Sequence, residues 1–106
     1  MRVLDFIVSQ QKLECDPRCD FSGIASGTKG YLLARFRFSA DWNGCKKVAV
    51  FSCRGNDYPT AIINGMCLIP EMSLVGGSVT VRVVGQKNEY RITTTTTSFT
   101  QKGVFE

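Results

Sequence analysis

The sequence predicts an all-β fold, an antiparallel β-sandwich with at most one short helical turn. Apolar and polar residues alternate along several short segments, as at Val79, Val81 and Val83, and this is the period of a strand with one buried face. Turn-forming pairs such as Asn64-Gly65 separate these segments. No segment predicts a long helix, so the core must form between sheets.

Seven or eight short strands are expected, arranged as in an immunoglobulin-like or jelly-roll-like sandwich. In the first strand Leu4, Phe6 and Val8 lie on one face. Pro70 suits the first position of the helical turn. The strands are predicted at residues 3–8, 13–15, 31–38, 46–53, 58–63, 66–69, 78–84 and 90–98. The chain of 106 residues is long enough for one domain, residues 1–106, with its own core.

The segment in which the alternation is clearest joins a strand, a turn and a second strand around the single tryptophan. Phe36 and Phe38 lie on one face of the first strand. Asp41 and Gly44 are turn-forming residues, and Trp42 stands between them. A tryptophan in a turn is costly to leave in water, so we expect Trp42 to fold back over the end of the core.

The same segment resembles a β-domain of tailed phages and prophages of Gram-positive bacteria, similar to the N-terminal domain of the baseplate upper protein and of related tail- or head-fibre proteins. The resemblance rests on Phe-x-Phe-Ser-x-Asp-Trp-x-Gly-x-x-Lys-x-Ala-x-Phe between Phe36 and Phe51 and continues through short pieces to Thr94. It covers roughly residues 8–97. The fold-defining residues that it marks are Phe36, Phe38, Asp41, Trp42, Gly44, Phe51 and Pro70.

This resemblance implies a virion structural protein. Its role would be an anchoring or assembly module of a baseplate, tail fibre or head fibre, assembled in the bacterial host cytoplasm. Its partners would be other virion proteins and further copies of the same chain. A capsid decoration protein and a carbohydrate-binding module for host glycans are the alternatives.

The contacts with other subunits are expected at the two ends of the domain, in the last strand with its tail and in the glycine-rich loop. The tail 99–106 carries Phe99, Val104 and Phe105, which have no predicted partners within the domain. The threonine run 93–97 is polar, and much of it is expected to face water or another chain. The glycine-rich segment 21–30 reads as a flexible loop. Deletion of residues 99–106 is therefore expected to leave the domain folded and to weaken its incorporation into particles.

Two ligand classes, sugars and nucleic acid, are alternatives to assembly. Three tyrosines, Tyr31, Tyr58 and Tyr90, would stack on sugars if they were exposed. Four basic residues, Arg35, Arg37, Lys46 and Lys47, are expected to lie close together in a hairpin of the two strands, where they would contact nucleic acid. The net charge of +4 is too small to favour nucleic acid by itself. Strand packing and solvated strand faces explain both sets without a ligand.

Enzymatic chemistry, a metal and a cofactor are not expected. The chain has no histidine, so the usual general base and catalytic triads are absent. The five cysteines are an odd number and are expected to be reduced thiols. Cys15 and Cys19 have a spacing that zinc could use, but no second close pair accompanies them. The sequence has no apolar run long enough to span a membrane and no signal-peptide pattern, so membrane contact and export are not expected.

Overall fold

A computed structural model describes residues 1–103 and confirms the all-β sandwich. In the described part of the chain there are nine strands and two short 3-10 turns, Ala40–Trp42 and Glu71–Ser73. The strands are β1 Arg2–Ser9, β2 Lys12–Cys15, β3 Leu32–Phe38, β4 Lys46–Cys53, β5 Asn56–Ile62, β6 Met66–Leu68, β7 Gly77–Lys87, β8 Tyr90–Thr93 and β9 Thr97–Gln101.

The strands form two sheets that enclose one apolar core. The four-stranded sheet has the order β2-β1-β3-β6, and its central pair, β1 and β3, is parallel. The five-stranded sheet has the order β5-β4-β7-β8, with β9 also paired to β7. Every pair other than β1 with β3 is antiparallel. The four-stranded sheet is therefore mixed, because its central pair is parallel. Alternation of apolar and polar residues does not reveal strand direction.

β3 and β4 lie in different sheets, so the segment around Trp42 is not a hairpin. It crosses from one sheet to the other through the turn Ala40–Trp42. The sequence predicted both strands, and alternation predicted the buried face of β3, which includes Phe36. It could not predict the partners, because β3 pairs with β1 and β6 while β4 pairs with β5 and β7.

The core is built from the inward residues of both sheets. Phe6 and Phe36 stack with their ring centroids 5.1 Å apart, and Phe21 meets Phe6 edge to face at 5.4 Å. Phe51 and Val81, neighbours in the opposite sheet, are fully buried. Burial of such side chains contributes about 1.5–3 kcal/mol each, so these rings provide much of the driving force for folding.

The threonine run is exposed at Thr93, Thr95 and Thr96, as expected, but it also links the two sheets. The predicted last strand is interrupted at residues 94–96, giving β8 and β9. Thr94 is buried, and its hydroxyl accepts a hydrogen bond from the Val83 amide at 2.9 Å. The Thr95 amide donates to the Gln11 carbonyl, and the Thr95 hydroxyl accepts from the Leu13 amide. The hydroxyl groups of Thr94 and Thr95 therefore accept hydrogen bonds from backbone amides that have no strand partner at this point, where the chain contacts the other sheet.

The expectation that Phe99 lacks partners within the domain is wrong. It lies on β9 opposite Val79, faces inward, and is 4% exposed. Its ring centroid is 6.2 Å from that of Phe21. Because Phe99 is covered by its own domain, it is not available as a subunit contact. Val104 and Phe105, the other two expected contacts, lie outside the described residues.

The glycine-rich segment 21–30 is held by its own domain, contrary to the expectation of a flexible loop. Ile24 is buried in the core. The Lys102 amide donates to the Ile24 carbonyl, and the Ser26 amide donates to the Lys102 carbonyl. Near its start, the Arg2 guanidinium donates to the Asp20 and Ser22 carbonyls. These contacts anchor the first half of the segment, up to Ser26, despite its glycines.

Candidate interaction surface

The outer face of the four-stranded sheet combines exposed apolar side chains with ion pairs. Strand register places its residues in rows across β1, β3 and β6. One row is Val3, Leu33 and Leu68, and the next is Asp5, Arg35 and Met66. In the third row Glu14, Ile7 and Arg37 lie side by side on β2, β1 and β3. We call this surface the outer face.

The apolar end of the outer face is open to solvent. Leu68 is 46% exposed and Tyr31, which precedes β3, is 51% exposed. Met66, on the same edge strand, is also exposed. β6 has only three residues and lies at the edge of its sheet, so nothing in the described chain covers these side chains. Apolar side chains grouped in this way are a common feature of protein contact surfaces.

The charged end of the outer face forms a cleft of about 500 Å³, the arginine cleft, lined by Asp5, Asp16, Arg18, Cys19, Arg35 and Arg37. Arg35 and Asp5 face each other on parallel neighbouring strands. The Arg35 Nε and Nη2 groups donate to the two Asp5 carboxylate oxygens at 2.6 and 3.2 Å. This two-point contact fixes the plane of the guanidinium group.

Asp16 is the buried centre of the arginine cleft. It follows β2, and its amide donates to the Asp5 carbonyl, which places its side chain beside β1. Its carboxylate accepts from the Arg18 amide, Nε and Nη2 at 2.9, 3.3 and 3.2 Å. Arg37 reaches across β1 from β3 and donates from Nη2 at 2.6 Å. Hydrogen bonds from Arg18, with a further one from Arg37, lower the pKa of Asp16 to about 2.

Substitution Asp16→Asn should cost stability in a pH-dependent way. The folded pKa, about 2, lies below the ordinary value of 3.8, so the carboxylate stabilises the fold above that value and loses this contribution as the pH falls towards 2. The difference in unfolding free energy between wild type and Asp16→Asn should therefore be constant above about pH 5 and shrink below about pH 4. Urea denaturation at a series of pH values measures this difference. A difference that does not change between about pH 6 and pH 2.5 would contradict the assignment.

Two of the residues marked by the resemblance, Phe38 and Trp42, form a hydrophobic junction at one end of the sandwich. Trp42 is fully buried, and its ring centroid is 5.2 Å from that of Phe38. Its Nε1 group donates to the Gln10 carbonyl at 2.8 Å. Phe36 and Phe51 are buried in opposite sheets. This is the position over the end of the core that the sequence predicts for Trp42.

The polar residues of the same motif shape its turns. Asp41 lies in the turn Ala40–Trp42, and its carboxylate accepts a hydrogen bond from the Ser39 hydroxyl. Gly44 has φ +79°, a conformation that side-chain-bearing residues rarely adopt. Pro70 precedes the turn Glu71–Ser73, where its carbonyl accepts from both the amide and the hydroxyl of Ser73.

Gly85 completes the Trp42 site and was missed in the sequence. A Cβ atom built on Gly85 would lie 2.6 Å from Cζ3 of Trp42 and 3.2 Å from Cγ2 of Ile92. Only glycine lets β7 approach the indole so closely. A glycine inside a predicted strand often marks a close approach by another group. The sequence does not show that the approaching group at Gly85 is the Trp42 ring.

Substitution Gly85→Ala should destabilise the protein by about 1–3 kcal/mol, the usual cost of overpacking a core. The cause is the contact with Trp42, so the effect should depend on the indole. In a Trp42→Phe background the added cost of Gly85→Ala should fall, because the smaller ring leaves room for the methyl group. Denaturant melts of the four proteins test this. Strictly additive losses would show that the strain lies elsewhere.

The three tyrosines do not form a common platform for sugars. Tyr31 adjoins the four-stranded sheet, while Tyr58 and Tyr90 lie on β5 and β8, at opposite edges of the other sheet. Tyr58 is half-buried. The Tyr90 hydroxyl donates to the Asp41 carbonyl and contacts the Cys45 thiol. Tyr90 therefore links β8 to the turn that carries Trp42.

The four basic residues considered for nucleic acid are also separated. Arg35 and Arg37 lie on the outer face and are paired with carboxylates. Lys46 and Lys47 begin β4, in the other sheet. Lys47 donates to the Cys45 carbonyl and places its ammonium group 5.1 Å from the centre of the Phe38 ring. The expected cluster of four cations is not formed, because the chain crosses between sheets where a hairpin was expected.

The cysteines are present as free thiols, and Cys45, Cys53 and Cys67 are buried. Burial raises the pKa of Cys67 to about 12, and burial is also the main cause of a raised pKa at Cys15. Within residues 1–103 no three cysteine, aspartate or glutamate side chains are grouped so that they could hold a metal ion. In the same residues no helix is long and apolar enough to cross a membrane.

The sequence was compared with protein families and with curated proteins. No family model matches the chain, and no curated protein matches it.

Proposed function

We propose that this protein is a structural module of a tailed-phage virion, which anchors a baseplate, tail-fibre or head-fibre part by packing against other virion subunits. The observation that carries the proposal is the outer face, where the exposed side chains of Tyr31, Met66 and Leu68 adjoin the arginine cleft. The motif between Phe36 and Phe51 supports the choice of a phage assembly module.

The chemistry of such a module is burial of side chains against neighbours. An apolar side chain that becomes buried on association contributes about 1.5–3 kcal/mol, and repeated copies in a symmetric particle multiply the effect. The expected contacts at Phe99 are replaced in this proposal by the outer face, since Phe99 is buried within the domain. The module is proposed to form homo-oligomers in the particle, after synthesis in the host cytoplasm.

Particles produced from a genome that carries this gene provide the test. Wild-type protein should be found in purified particles by mass spectrometry, and gold labelling should place it on the tail or the head. Leu68→Glu should reduce incorporation by about tenfold or more, because a charge replaces a buried apolar contact. Val75→Glu is the matched control, since Val75 is similarly exposed but belongs to no strand.

Each result bears on the proposal. Absence of the wild-type protein from purified particles would overturn the virion function. Equal incorporation of Leu68→Glu and Val75→Glu would show that the outer face is not the contact. Label confined to the outer surface of the capsid would select a decoration protein over a baseplate or tail-fibre module.

A further inference from the structure

We propose that the arginine cleft binds a carboxylate side chain of the partner protein, and that aliphatic residues flanking this carboxylate pack on the apolar end of the outer face. The occupant is thus an acidic peptide segment of a neighbouring protein, such as one glutamate between apolar residues. This inference rests on the proposed assembly function, because it specifies the chemistry of the neighbour.

The first argument is the charge of the cleft. Three guanidinium groups, those of Arg18, Arg35 and Arg37, face only two carboxylates, those of Asp5 and Asp16. One positive charge therefore remains uncompensated among the groups that line the cleft. A single carboxylate would complete three ion pairs, and arginine is suited to this role by its planar array of donors.

The second argument is the set of N–H donors that remain free. Arg37 uses only Nη2 to reach Asp16, so its Nε and Nη1 groups form no hydrogen bond within the described chain. Arg18 and Arg35 each use Nε and Nη2, which leaves both Nη1 groups without an acceptor in residues 1–103. The two aspartates hold the guanidinium groups in place before any partner arrives, so less side-chain freedom is lost on binding.

The third argument is the position of the apolar rows. Arg35 lies in register between Asp5 and Met66, and the adjacent row ends at Leu68. A bound segment whose carboxylate meets Arg35 and Arg37 would therefore place its neighbouring side chains over Leu33 and Leu68. A free inorganic anion would pair with the arginines of the cleft but would make no contact with the apolar side chains of these rows.

Two short peptides test the inference on the isolated ¹⁵N-labelled protein. One is acetyl-Leu-Val-Glu-Val-Leu-amide, and its matched control has glutamine in place of glutamate. The glutamate peptide should shift the arginine Nε–H signals together with the Met66 and Leu68 amides and reach saturation. The glutamine peptide should bind about tenfold more weakly, because it lacks the charge-assisted hydrogen bonds.

Substitution Arg37→Gln should reduce affinity for the glutamate peptide about tenfold and remove the preference over glutamine. Arg82→Gln is the matched control, because Arg82 is also paired with an aspartate, Asp57, on the other sheet. It removes the same charge and should leave binding unchanged. If Arg37→Gln perturbs the fold, Arg37→Lys keeps the charge without the planar fork and should bind with intermediate affinity.

Three results would overturn the inference. These are equal binding of the two peptides, equal loss in Arg37→Gln and Arg82→Gln, and saturable binding of inorganic phosphate without binding of the glutamate peptide. The last result would indicate a site for a free anion rather than for a protein segment. Because the peptides are tested on the isolated protein, failure here leaves incorporation into particles as a separate result.

Discussion

Replacement of Trp42 by alanine should lower the free energy of unfolding by about 3–5 kcal/mol, the usual loss for a large buried aromatic residue. The side chain is 0% exposed and contacts elements of both sheets. It packs on Phe38 of the four-stranded sheet and against Gly85 of the five-stranded sheet. Its Nε1 group also binds the Gln10 carbonyl in the turn between β1 and β2. Alanine would remove all three contacts and leave a cavity.

Trp42→Phe is the matched control for this substitution. It keeps an aromatic ring in the junction but removes the hydrogen bond to Gln10, so its cost should be about 1–3 kcal/mol. Urea melts monitored by far-ultraviolet circular dichroism compare the variants without relying on tryptophan fluorescence. A loss below about 1 kcal/mol for Trp42→Ala would be too small for a buried ring and would contradict its position in the core.

Local patterns in the sequence predict the strands well but predict their partners poorly. Alternation at Leu4, Phe6 and Val8 correctly identifies the buried face of β1, since each side chain faces the same side of a strand at every second position. The pair Asn64-Gly65 predicts the tight turn, in which both residues have positive φ. These signals depend on neighbouring residues alone, so they predict strands and turns correctly whichever strands pair with one another.

Pairing between distant strands leaves no comparable local signal. The parallel pairing of β1 with β3 and the crossing from β3 to β4 depend on how separate segments pack together. The same holds for Thr94 within the threonine run, although Thr93, Thr95 and Thr96 are exposed, as the polarity of the run suggested. Thr94 instead satisfies the Val83 amide inside the sandwich. A threonine hydroxyl forms hydrogen bonds with water or with a buried backbone group. Composition therefore could not distinguish an exposed threonine from a buried one.

Only some residues of the outer face could be predicted from the sequence. In the sequence Arg35 and Arg37 alternate with Phe36 and Phe38 and so fall on the opposite strand face, and the structure places both on the outer face. Asp5 and Asp16 are their partners, but 30 and 21 residues separate the members of these pairs. The cleft therefore depends on β1 and β3 pairing in parallel and on the turn after β2, neither of which the residue types specify.

Deletion of residues 99–106 should unfold the protein, which reverses the outcome expected from the sequence alone. The truncated chain would lose Phe99 from the core, and core truncation of a phenylalanine alone costs about 3–5 kcal/mol. It would also lose the β9 pairing of Phe99, Thr100 and Gln101 with β7. Against a typical total stability of about 5–15 kcal/mol, these combined losses should leave little or no folded population.

A chain that ends at Gly103 is the matched control, because it keeps every contact of β9 described here. It retains the hydrogen bond from Gln101 to the Ser73 carbonyl, at 3.0 Å, and that from the Lys102 amide to Ile24. The control should show dispersed amide signals and a cooperative melt, whereas the chain lacking residues 99–106 should show neither. A cooperative melt of the shorter chain, close to that of the control, would mean that β9 is dispensable and would return Phe99 to the set of candidate subunit contacts.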